Sequence, residues 1–160
     1  MKLYMKQKVF SWNDKFSVFD ENGGERYYAE GEIFTWGKKL HLYDSSGQEA
    51  AFIKQKLLGI LPTHHYIIET GGYSYTVVKE LTFLTPCFHV EGTNWRLKGD
   101  FFTHEYSITD DERIILRLSR HWFTFGDSYE LDIPDDRDEI LALAVALAID
   151  CVNADQDRRH

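Results

Sequence analysis

Polar and apolar positions alternate with a period of two through most of the chain, and turn residues break the alternation into short runs. Leu40 and Leu42 oppose His41 and Tyr43. Ile114, Leu116 and Leu118 oppose Arg117 and Ser119, and Tyr129, Leu131 and Ile133 oppose Glu130 and Asp132. Such alternation predicts strands of an antiparallel sheet with one dry and one wet face. The runs pair into hairpins: 16–19 with 27–34 across Asp20–Gly24, 40–43 with 50–58 across Asp44–Gly47, 66–69 with 74–83 across Thr70–Gly72, and 104–108 with 113–119 across Thr109–Asp111. Asp, Asn and Gly at these junctions supply the left-handed turn conformations a hairpin needs. Adding 88–92, 95–99, Leu3–Val9 and Tyr129–Ile133 gives about twelve strands.

The units starting at Phe16, Leu40, Tyr66 and His104 repeat irregularly. An aromatic phrase recurs before several strands, at Phe10-Ser11-Trp12-Asn13, Phe34-Thr35-Trp36-Gly37 and Phe123-Thr124-Phe125-Gly126. Corners made alike predict one closed sheet instead of a solenoid.

The pattern changes at Arg137–Asn153, where Ile140 to Ile149 is unbroken apolar sequence containing four alanines. Alanine favours helix over strand. At about 100° per residue these side chains cover every side of the axis, so the helix must be enclosed. The run is shorter than the ~20 residues of a membrane span, which leaves the protein's own sheet as the enclosure. The prediction is a mainly β fold: a closed antiparallel barrel of about twelve strands around a central hydrophobic C-terminal helix. It forms a single domain over 1–153, with core helix 137–153 and a polar tail 154–160. Asp135 or Asp136 is the expected N-cap, with Asp138 and Glu139 complementing the helix dipole.

Charge narrows the partners. The net charge is −8; residues 1–80 hold ten basic and ten acidic side chains, residues 81–160 eight and sixteen. An acidic chain with no concentrated basic face is a poor nucleic-acid binder. No signal-peptide pattern opens the chain, so Cys87 and Cys151 are expected as reduced thiols in a cytoplasmic protein.

The phrases MKQKVFSWNDKFSVFDENG, GKKLHLYDSSGQEAAFIKQKL and WFTFGDSYELDIPDDRDEILALAVALAIDCV resemble the LURP-one-related (YxjI-like) family across about residues 2–153. That family belongs to the tubby C-terminal-like superfamily, alongside the phospholipid scramblases. The resemblance implies a twelve-stranded barrel around a C-terminal hydrophobic helix, and a binding or scaffold role at phospholipid or phosphoinositide surfaces. Scramblase-like lipid handling and protein–protein interaction are the alternatives.

Candidate chemistry is sparse. Asp127, Glu130, Asp132, Asp135 and Asp136 form an acidic segment, but alternation with Tyr129, Leu131 and Ile133 marks a wet strand face, and the calcium-loop phrase is absent. His41, His64, His65, His89, His104 and His121 show no metal-ligand spacing. No nucleophile motif or phosphate loop is present: Gly23-Gly24 and Gly71-Gly72 sit in hairpin turns, and buried Cys151 should be inert. The expectation is a non-enzymatic protein with no catalytic, cofactor-binding or metal residues and no cofactor. Asp150 stands out as a carboxylate in the last turn of a buried helix. It should emerge at the barrel mouth and hold a specific partner, an arginine for instance. Trp12, Trp36, Trp95 and Trp122 are expected to pack in the core or at corners, with a lipid groove as the other reading.

Overall fold

A computed structural model describes residues 1–6, 15–32, 36–80, 87–100, 102–123 and 126–157. The side chains of residues 6, 121–123, 126–127 and 156–157 are excluded, so the turn phrases at Phe10–Asn13 and Thr124-Phe125 fall outside the described residues. The twelve strands are β1 (Lys2–Lys6), β2 (Phe16–Phe19), β3 (Glu25–Gly31), β4 (Lys39–Asp44), β5 (Glu49–Leu58), β6 (Leu61–Thr70), β7 (Tyr73–Glu80), β8 (Cys87–Glu91), β9 (Trp95–Asp100), β10 (Glu105–Asp110), β11 (Arg113–Phe123) and β12 (Gly126–Asp132). Each strand pairs antiparallel with its sequence neighbours, and β1 pairs with β12 to close the barrel. Closure leaves no sheet edge to be protected.

A 3₁₀ turn, Asp136–Asp138, leads into α1 (Glu139–Asp157). Asp135 is the cap, its carboxylate accepting from the Arg137 amide. The helix lies inside the barrel. Ala142 to Ile149 are all buried, against inward residues such as Leu3, Leu42, Ile68, Val77, Phe88 and Leu131. The four alanines let the helix backbone approach the wall closely, while Leu143, Val145, Leu147 and Ile149 fill the remaining space. α1 continues to Asp157, beyond Asn153 where the apolar pattern stops.

Two local expectations change. In β11 the core residue is Ile115, and Ile114 is only half-buried. The β10–β11 register shifts between Ile108 and Thr109, so Ile108 faces Leu116 while Thr109 faces Ile114. The bulge inserts Ile115 and reverses the alternation on one side of it. The second change is β6, which begins at Leu61 and not at Tyr66. Pro62, which argues against a strand interior, sits near the strand's start, opposite Leu57.

Candidate functional site

Alternating strand direction divides the connections between two ends of the barrel. The turns β2–β3, β4–β5, β6–β7, β8–β9 and β10–β11 share one end with the start of α1. The connections β3–β4, β5–β6 and β9–β10 lie at the other end, where α1 finishes.

At the first end the helix is clamped. Glu139 is buried to 4% exposure and receives Arg26 Nε at 2.5 Å, Arg26 Nη2 at 3.0 Å and the Tyr27 hydroxyl at 2.8 Å. The two-pronged guanidinium contact fixes both the position and the rotation of the helix start relative to β3. Burial, and then the neighbouring Glu139 carboxylate, push the Tyr27 phenol up to about 12. Arg113 adds a tie from the β10–β11 turn, reaching Asp138 at 2.5 Å and Asp110 at 3.2 Å.

At the second end α1 is held by pairs of another kind. Asp150 Oδ1 is 3.1 Å from His104 Nε2, and the His104 ring stacks on Tyr129 at 4.6 Å between centroids. Asp150 therefore does emerge at the mouth, with a histidine as its partner and not an arginine. Lys38 forms an ion pair with Asp155, which also accepts from the Tyr66 hydroxyl at 3.3 Å. These contacts give partners to two carboxylates placed where the helix dipole disfavours them. Cys151 is wholly enclosed, and desolvation raises its thiol well above the ordinary range, which keeps it protonated and inert.

The second end also carries an apolar rim. Six large apolar side chains are exposed among the described residues. Five of them, Trp36, Leu58, Ile60, Leu61 and Phe102, sit on the β3–β4, β5–β6 and β9–β10 connections, each between 54% and 75% exposed. The sixth, Tyr73, is at the opposite end. Trp36 thus departs from the packed corner position expected of it, whereas Trp95 is a core residue. Trp12 and the Trp122 side chain lie outside the described residues.

The acidic segment does not converge. Glu130 pairs with Lys2 at 2.7 Å across β1, Asp135 binds Arg137, and Asp136 is exposed; the Asp127 side chain is outside the described residues. Among the described residues no group of three His, Cys, Asp or Glu could hold a metal ion. The histidines are scattered over the wall. His41 lies 2.7 Å from both Glu32 and Glu49, His89 Nδ1 lies 2.6 Å from Glu80, and His64 and His65 are half-buried in β6; the His121 side chain is not described. Gly71 and Gly72 close the β6–β7 hairpin, both with positive φ. Shallow grooves lie on the outer surface among the described residues. One, of about 440 Å³, lies beside the β6–β7 turn between Glu49 and Glu69. Another, of about 400 Å³, crosses β9–β12 and mixes Lys98 and Arg117 with Glu105, Glu130 and Asp132. The charged residues lining the first are both acidic, and the second mixes the two signs.

Sequence reasoning missed the β5–β6 tip by reading 59–65 as a connection. Its signal was nonetheless present: Leu57-Leu58-Gly59-Ile60-Leu61 is a turn whose only non-apolar member is glycine.

Comparison with known proteins agrees with this architecture. A family model described as LURP-one-related matches residues 1–150. The uncharacterized protein YxjI of Bacillus subtilis (strain 168) is 38% identical over 153 residues, covering 95% of this chain and 93% of its own. The X-ray structure of an Arabidopsis thaliana protein superposes with a TM-score of 0.62 at 18% identity, covering 95% of this chain and 90% of that one. At that identity the likeness is one of fold.

Proposed function

The chain belongs to the LURP-one-related family, and from that premise we propose that it is a non-enzymatic binding module acting at the surface of phospholipid membranes, on the cytosolic side. One observation carries the reading: the barrel's interior is filled by its own helix, so recognition falls to the outer wall and the two ends. Of these, the rim where α1 finishes gathers exposed apolar side chains next to lysines, which is the chemistry of a lipid interface. Both cysteines are free thiols, as suits the cytosol.

Scramblase-like lipid handling would require α1 to leave the barrel. Clamps at both ends, at Glu139 and at Asp155, oppose that. Among the described residues no helix is long and apolar enough to cross a membrane.

Flotation of the purified protein with neutral, anionic and phosphoinositide-containing vesicles tests the proposal. The expected result is co-flotation with the anionic vesicles, weakening as salt rises. Failure to float with any of them would sink it and direct attention to a protein partner.

A further inference from the structure

Resting on the membrane-surface reading above, we propose that the β5–β6 hairpin tip, Leu58, Ile60 and Leu61 with Trp36 beside it, is the docking element that inserts into the interface of anionic phospholipid membranes. The hairpin projects. Its last rung shared with β4 is Lys39–Lys54, and its last rung shared with β7 is Tyr66–Val77. Beyond these, Leu57 pairs with Pro62 and Leu58 with Leu61, strand against strand within the hairpin alone. Four residues past Lys54 at ~3.3 Å each carry the tip roughly 13 Å beyond that rung.

The turn is a tight one. Gly59 takes a φ of +63° at the first central position, the requirement of a two-residue II′ connection. Nothing lies within 4 Å of where its Cβ would be, so the tip stands in open space. Leu58, Ile60 and Leu61 around it are 74%, 71% and 64% exposed. The β3–β4 connection braces the base instead: Leu57 Cδ2 would lie 2.9 Å from a Cβ at Gly37, Lys38 O accepts from the Gln55 amide at 2.7 Å, and Lys38 N donates to Gln55 Oε1 at 3.1 Å. That brace places Trp36 at the hairpin's side, 75% exposed, and tryptophan is the side chain best suited to the water–lipid boundary.

Charge identifies the occupant. From Ala50 to Ile68 the chain holds Lys54, Lys56, His64 and His65 and no acidic residue, in a protein of net charge −8. The turns at the opposite end carry Asp20, Glu21, Asp44, Asp110, Asp111 and Glu112. The hairpin is thus an apolar, basic protrusion suited to an anionic surface, with exposed Lys56 two residues from Leu58 and Lys54 paired to Glu69 at its base, on an end that also carries Asp100, Glu105, Asp150 and Asp155. A second copy seated tip to tip would oppose lysine to lysine. A flat bilayer also accepts separated protrusions on one plane, such as Trp36, the hairpin tip and Phe102, without needing a matching pocket for each.

The test replaces Leu58, Ile60 and Leu61 together by serine, and separately makes Lys56→Gln and Trp36→Phe. All five positions are solvent-exposed, so each variant should melt as the parent does, and thermal melting checks this. Partition is measured on phosphatidylcholine vesicles and on mixed phosphatidylcholine–phosphatidylserine vesicles. The triple variant should lose about tenfold or more in partition to the mixed vesicles. Lys56→Gln should lose about fivefold there and little on phosphatidylcholine. Brominated acyl chains should quench the parent's tryptophan emission, and most of that quenching should vanish in Trp36→Phe. If the parent binds no vesicle, both this proposal and the membrane-surface reading fail. If the parent binds and the triple variant binds equally, the hairpin proposal alone is wrong. A triple variant that changes sedimentation from dimer to monomer while partition is unaffected assigns the tip to self-association and overturns the proposal as well.

Discussion

At the scale of single residues, several polar side chains of this barrel fasten one element to another. His41 is an example on the outer wall. Partial burial would lower its pKa, but the carboxylates of Glu32 and Glu49 outweigh burial and raise it above the ordinary 6.5. A histidine whose folded-state pKa is raised stabilises the fold fully below its unfolded value, and that contribution is lost as pH rises through the folded value. His41→Gln should therefore narrow the gap to the parent as pH climbs from about 6 to about 8, read as denaturation midpoints at several pH values. A constant difference across that range would show that the histidine does not titrate against its carboxylates. The Glu139 clamp and the Asp150–His104 contact belong to the same class: each ties one end of a helix to the wall. Asp150 was visible in the sequence as a residue in need of a partner. The partner was not, because His104 stands 46 residues away and only barrel closure brings it to the mouth.

At the scale of elements, the helix was the most legible part of the chain. A ten-residue apolar run rich in alanine admits few alternatives, and the alternating strands before it imply the enclosure. Leu143 tests that enclosure, being fully buried within the barrel. Leu143→Ala should cost roughly 2–5 kcal/mol in urea denaturation, since a barrel wall braced all round relaxes little into a cavity. Leu143→Asp should yield no soluble folded protein, because a lone carboxylate there has no water and no partner. A soluble, cooperatively folding Leu143→Asp variant would contradict the architecture. Legibility failed where strands depart from regularity. The Ile115 bulge inverts a pattern that counts in twos, and the β5–β6 hairpin puts a proline inside a strand and isoleucine in a turn. Both positions are decided by what neighbouring strands do, which local sequence does not record. The candidate docking tip was missed for the same reason: exposure of Leu58, Ile60 and Leu61 depends on where the neighbouring ladders stop.

At the scale of the whole molecule, wall and filling form one cooperative body. The inward side chains of all twelve strands and those of α1 belong to a single core. The amides of Ala142–Ile149 should then exchange with solvent only through global unfolding, with protection equal to the free energy measured by denaturant. Markedly weaker protection of those amides would indicate a helix that leaves a barrel still standing. The two ends of the same body differ in character, one lined by acidic turns and the other by exposed apolar tips among charges of both signs. That polarity gives the barrel an orientation relative to any charged surface it meets.

The position of α1 in the chain bears on how such a body can form at all. The segment that fills the barrel follows every strand of its wall, so during synthesis the wall emerges before the filling exists. A closed barrel at that stage would enclose an empty apolar lumen, whose lining would lack the packing partners that α1 supplies. Early hairpins can form as they emerge, but the β1–β12 seam must wait for the plug. Newly made chains thus pass through an open, aggregation-prone sheet. A segment synthesised after every strand of the wall is thus the one that permits β1 to find its place beside β12.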